Sequence, residues 1–156
     1  MSSPIGLDVA SLLSSLTSLA LATGQFVSVS GHEPASPPAQ GVTSAIWLAA
    51  IGPAKKVSGL SATAGLVVFT QRIYNPPTTG DMDLIDPMVG NAAAQMIGVF
   101  SGAFTLGGSV FMVDLFGSNG TALAAKAGYA NHGGTNYRIM DIAIPLVIDG
   151  VWTQVP

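Results

Sequence analysis

Leu66-Val67-Val68-Phe69-Thr70-Gln71-Arg72-Ile73-Tyr74 carries the strongest strand signal in the chain. β-branched and aromatic residues dominate it, the types that suit a pleated surface. Asn75-Pro76-Pro77 ends it sharply, because proline removes a ladder donor and restricts the residue before it. Before it, Thr43–Ile51, centred on Ile46, Trp47 and Leu48, predicts another strand, and Gln25–Ser30 alternates as a third. Between these lie two irregular loops: Gly31–Gly41 with Pro34, Pro37 and Pro38, and Gly52–Thr63 with Lys55 and Lys56. Further out, Val9, Leu12, Leu13, Leu16, Leu19 and Ala20 recur at helical spacing over residues 8–22, with Gly24 as the stop.

On the other side, Asp86-Pro87 reads as a helix start, since Asp can accept from an orphan N–H and Pro at the first turn loses nothing. Ile85, Met88, Val89, Ala92, Ala93, Met96, Ile97 and Phe100 mark one face of that helix, and Gly102 ends it. Gly90 and Gly98 weaken it by about 1 kcal/mol each relative to Ala, so tertiary packing must hold it. Three further strands are expected near Ser109–Gly117, Thr121–Ala130 and Tyr137–Ile148, with Gly120 and Gly133-Gly134 as turns. Pro145 places the end of the last strand at a sheet edge or bulge. The order α-β-β-β-α-β-β-β predicts a single α+β domain over 1–156: two helices packed on one face of a mainly antiparallel sheet of about six strands.

Composition narrows the function classes. Of 156 residues 49% are apolar and 8% charged, where about a quarter charged is typical. Disorder is excluded, because it needs low hydrophobicity and high charge. With 5 basic and 8 acidic residues, the chain has too few charges to cover a surface of this size, so other copies or partners are expected to cover part of it. The net charge of −3 offers no sequence-independent grip on DNA. There is no cysteine, hence no disulfide framework and no thiolate metal site. The apolar N-terminal stretch lacks a positive leader region, since the first basic residue is Lys55. No run of 18 uninterrupted apolar residues is present, so no membrane contact is expected.

Catalytic patterns are missing. His32-Glu33 lacks the second His of a zinc-protease helix, and Pro34 forbids that helix. His132-Gly133-Gly134 has no G-x-S-x-G elbow to serve and reads as a hairpin turn. The acidic cluster Asp81, Asp83 and Asp86 fits a helix N-terminus better than a hard-cation site. Arg72 and Arg138 sit inside strands and read as paired structural arginines, within or between subunits. Trp47 and Trp152 read as core or interface anchors. The expectation is a structural protein, not an enzyme, with no cofactor and no metal.

Several stretches, read in order, resemble the tail terminator proteins of long-tailed bacteriophages, especially those of actinobacterial phages. They are His32-Glu33-Pro34; Trp47 followed by Pro53 and Ser58-Gly59-Leu60; Val67 through Tyr74; and Ile85-Asp86-Pro87. They continue with Ser101 through Gly108, Val113 through Gly117, Ala127-Gly128-Tyr129, and Tyr137-Arg138 through Ile144-Pro145-Leu146 to Val151-Trp152. Ala103 departs from the pattern, standing where an acid is expected.

The resemblance implies a homohexameric ring that caps the head-proximal end of the tail tube, ends its polymerisation and helps form the head–tail joint. The implied partners are the tail tube protein and head-completion or neck proteins, in the virion. Trp47, Lys55, Lys56, Arg72 and Arg138 are then candidate interface residues. Six copies at −3 each carry 18 formal negative charges, which let DNA slide through the lumen without specific binding. Asp81, Asp83, Asp114 and Asp149 are the candidate channel-facing residues. A tail tube subunit, a head-completion protein, and a small ligand-binding domain or enzyme remain the alternatives.

Overall fold

A computed structural model describes residues 7–35, 41–54, 62–75, 82–108 and 110–153. Helix α1 spans Val9–Ala22. Asp8 caps it, accepting from the Ser11 N–H at 3.1 Å, and Gly24 at φ +71° turns the chain out of it. Strands β1 (Val29–Ser30), β2 (Thr43–Pro53) and β3 (Ala62–Asn75) follow, then helix α2 (Ile85–Gly102). The last three strands are β4 (Met112–Val113), β5 (Ala124–His132) and β6 (Thr135–Thr153). The sheet runs β1-β2-β3-β6-β4, with β5 also paired to β6; only β1–β2 is parallel. This is the expected α+β fold, two helices and six mainly antiparallel strands.

Strand β3 is central. Its pairs with β2 (Thr70 opposite Trp47) and with β6 (Thr70 opposite Ala143) fix which side chains share a face. Val67, Phe69 and Ile73 turn toward the helices with Ile46 of β2 and Ile142, Ile144 and Leu146 of β6. Leu12, Leu16 and Ala20 of α1 and Ala92, Ala93, Met96 and Phe100 of α2 close that core. Gln71 lies in the same layer, fully buried, and donates to the Ser44 hydroxyl at 3.0 Å. The opposite face holds a smaller cluster, Ala45, Tyr74, Tyr137 and Ile139, with Trp47 packed against it.

Several elements differ from the sequence expectation. The strand expected over Gln25–Ser30 shrinks to Val29–Ser30, and that over Ser109–Gly117 to Met112–Val113. In the second case Phe111 to Asp114 hydrogen-bond to β6 only until the Asp114 side chain folds the chain into a turn. Strand β3 begins four residues before Leu66, inside the expected loop, because Ala62 and Thr63 pair with Thr153 and Trp152. Strand β6 does not end near Pro145 but runs on to Thr153. The Pro145 backbone faces away from β3, its carbonyl accepting from Asp114 N–H at 2.9 Å. On that side β5 pairing stops at Ala143 and β4 pairing starts at Leu146, so the missing N–H breaks no ladder bond. Gly133 and Gly134, at φ +59° and +82°, form the two-residue hairpin turn between β5 and β6. Helix α2 starts one residue before Asp86, after a 3-10 turn at Met82–Leu84, and no side chain caps it.

Phe69 is fully buried where both helices meet the sheet. Phe69→Ala is expected to lower the unfolding free energy by about 3–5 kcal/mol, read from urea denaturation. A loss below about 1 kcal/mol would show that β3 is not the centre of the core.

Candidate functional site

On the sheet face away from the helices, the register places Ala45, Arg72, Asp141 and Lys126 in one row across four strands. Arg72 and Asp141 form a two-pronged pair: Nε donates to Oδ1 at 2.7 Å and Nη2 to Oδ2 at 2.9 Å. The guanidinium also lies 5.4 Å from the Trp47 ring centre and 6.0 Å from that of Tyr74. The Asp141 carboxylate raises the Arg72 pKa, against a smaller opposing effect of burial. The arginine is thus clamped within its own chain on two strands and two rings.

Tyr74 meets His132 and Tyr137 edge-on, at 5.7 and 6.2 Å between ring centres. Among the described residues its buried hydroxyl has no partner in hydrogen-bond geometry, although the Arg72 guanidinium lies near it. Burial raises its pKa above the ordinary 10.0, and nearby Arg72 offsets part of that shift.

Arg138 sits on the helix side of the sheet. It donates to Asp86 of α2 at 2.9 Å and to the Gly128 carbonyl at 3.3 Å, and its guanidinium lies 4.5 Å from the Tyr129 ring centre. Asp86 therefore does not cap its helix as the sequence suggested; its carboxylate ties the first turn of α2 to β6. Met88 and Tyr129, both exposed, lie on α2 and β5, and Leu84, also exposed, lies in the 3-10 turn before α2.

The acidic candidates among the described residues, Asp83, Asp114 and Asp149, do not gather as one cluster. Asp83 is exposed in the 3-10 turn before α2. Asp149 is exposed where the β3–β6 register shifts between Thr63 and Gly65. Asp114 is 1% exposed, which corrects its place among channel-facing residues. Its carboxylate accepts from the N–H groups of Ser118 (3.0 Å) and Asn119 (2.9 Å) and from the Asn119 amide (3.2 Å). Buried within its own turn, this carboxylate is not part of the surface that could line a lumen. Asp81, Lys55 and Lys56, and most of the Gly52–Thr63 docking loop, lie outside the described residues.

Among the described residues no three His, Asp or Glu side chains gather as a metal site. An open groove of about 410 Å³ lies between α1 and the turn after α2, lined by Ser14, Ser15, Ser18, Leu19, Ala103, Leu106 and Gly107. None of these side chains titrates, so the groove supplies no acid–base pair. Among the described residues no helix is long and apolar enough to cross a membrane.

Of the sequence candidates, Trp47 and Arg72 are brought together, while Arg138 lies on the other face. Asp141, the partner that defines the first cluster, went unnoticed in the sequence. Its sole signal is an acid inside a strand, and only the β3–β6 register tells which arginine it meets. No family model matches this chain, and no curated protein matches it.

Tyr74→Phe removes a buried hydroxyl that has no hydrogen-bond partner among the described residues. The variant is expected to be at least as stable as the parent at neutral pH. In the parent, the raised Tyr74 pKa means that stability is complete below pH 10 and falls as pH rises through the folded-state value; the variant should lose part of that alkaline slope. Thermal melts between pH 8 and 11 read both effects. Asp141→Ala leaves a half-buried guanidinium without its carboxylate and is expected to cost about 1–3 kcal/mol in the same denaturation assay.

Proposed function

We propose that this chain is a structural subunit of a phage tail, a tail-terminator-type protein. In this reading it forms a hexameric ring, caps the head-proximal end of the tail tube, ends tail growth and contributes to the head–tail joint. It works by assembly, not catalysis, and DNA passes its acidic ring without specific contacts.

The observation that carries the reading is how the chain spends its few charges. Arg72 and Arg138 are paired internally, Asp114 is buried in a turn and Asp8 caps a helix. Meanwhile Leu48, Ile51, Phe104, Phe111, Phe116 and Tyr129 stand exposed. Surface of that kind suits a lasting subunit interface, which is more apolar than ordinary protein surface. The order of the sequence stretches that resemble tail terminators supplies the identity of the assembly.

Negative-stain images of the purified chain, alone and mixed with phage tail tubes, test the proposal. Single six-fold rings seated at one end of each tube are expected. Long stacks formed by the chain itself would assign it to the tube instead. A monomer that binds no tube would overturn the reading.

A further inference from the structure

Among the described residues, long stretches of two strand edges, on β2 and on β5, are unpaired, and they lie on opposite sides of the sheet. β1 covers β2 only at Ser44 and Ala45, and from Ile46 to Pro53 no described residue pairs with that outer edge. Leu48, Ala49, Ala50 and Ile51 are exposed in succession, so this end of β2 is open on both faces as well as along its edge. Among the described residues β5 pairs with β6 alone, and none of its nine residues is buried. Soluble proteins protect such edges with charge, proline or bulges. Here β2 has no charged residue and Pro53 only at its end, although a bulge lies between Leu48 and Ala50. β5 has no proline and one charge, Lys126.

We propose that the outer edge of β5 in one copy pairs with the outer edge of β2 in the next, so that copies join head to tail through a continuous sheet. Strand direction supports this. β2, β3, β6 and β5 alternate in direction, so β2 and β5 run opposite ways. A copy added in the same orientation therefore extends an antiparallel ladder.

The backbone groups also point the right way. Ser44 N–H donates outward to Ser28 at 3.0 Å, and by alternation Ile46 and Leu48 face outward too. Val147 accepts from Phe111 at 2.8 Å, so the odd-numbered residues of β6 face β4 and β5. Lys126 and Gly128 lie opposite two of these, Asp141 and Ile139, and turn inward; Ala125, Ala127 and Tyr129 therefore turn outward.

Side-chain size fits the same pairing. β5 offers Ala124, Ala125, Ala127, Gly128 and Ala130, interrupted by Lys126 and Tyr129, against Trp47, Leu48 and Ile51 on β2. Pairing β5 with β5 would leave every β2 edge bare; pairing β2 with β2 would leave every β5 edge bare. Head-to-tail pairing covers both edges in every copy, and such a heterologous contact closes into a ring when the rotation permits. This inference holds for any homo-oligomer of the chain and does not rest on the phage reading.

The chain contains no cysteine, which makes cross-linking clean. Leu48→Cys and Ala127→Cys chains, one of them carrying a size tag, are mixed and treated with a bismaleimide. Mixed dimers are expected, with no dimer from either variant alone, and the double variant should give a ladder of multimers. Dimers from either single variant, or no product from the mixture, overturn the proposal.

Native mass spectrometry of Ala127→Pro gives a second reading. That N–H faces outward, so the circular dichroism spectrum should persist while the assembly falls to single copies. A folded Ala127→Pro chain that keeps its wild-type assembly, or a wild-type chain that is monomeric, overturns the proposal. If Ala127→Pro dissociates but wild-type assemblies ignore tail tubes, the edge pairing stands and the phage reading fails.

Discussion

The pleat and register of β3 are the constraint on which the rest depends. The strand is paired along both edges, with β2 from Gly65 to Tyr74 and with β6 from Ala62 to Asn75. Its alternate side chains serve two different environments. Phe69 and Ile73 enter the helix-covered core, while Arg72 and Tyr74 enter the opposite face. A slip of one residue would exchange the two sets, setting the guanidinium among the helices and stripping the core of the Phe69 ring. Opposite charges at Arg72 and Asp141, held by two short hydrogen bonds, oppose that slip from the side where apolar packing is thinner.

A chain this poor in charge places those it has with economy. Two arginines join elements distant in sequence, Arg72 across β3–β6 and Arg138 between β6 and α2. Asp114 replaces a stretch of expected strand with a turn. Ion pairs and turns within the chain take up several of these few charges, and the described surface keeps only scattered ones, Asp8, Glu33, Asp83, Asp86, Lys126 and Asp149, among small polar and apolar side chains. The two helices show this most plainly: α1 contains no charged residue and α2 contains only Asp86. Such a surface is readily dehydrated when copies meet, which connects the internal ion pairs to the proposed assembly.

The helices were legible because their evidence is local. Spacing of Leu12, Leu16 and Ala20 marks one face, and Gly24 marks the end within a turn of it. The Gly133-Gly134 turn was legible for the same reason, since its backbone requirement falls on the two residues themselves. The short strands were misread because β-propensity describes fit to a neighbour, and the neighbour is not in the sequence window. Pro145 misled in the same way: whether a missing N–H matters depends on which strand it would have faced.

By itself the sequence determined the α+β class, both helices, the central strand at Leu66–Tyr74 and the shortage of surface charge, all properties of residues read one window at a time. Only the tertiary structure decided that Arg72 meets Asp141 and Arg138 meets Asp86, partners 69 and 52 residues apart. It also decided that Asp114 is buried, that β6 runs past its proline, and that β2 and β5 present long edges unpaired among the described residues. Each of these is a matter of strand order and register, which arise from long-range pairing and packing that no local pattern encodes.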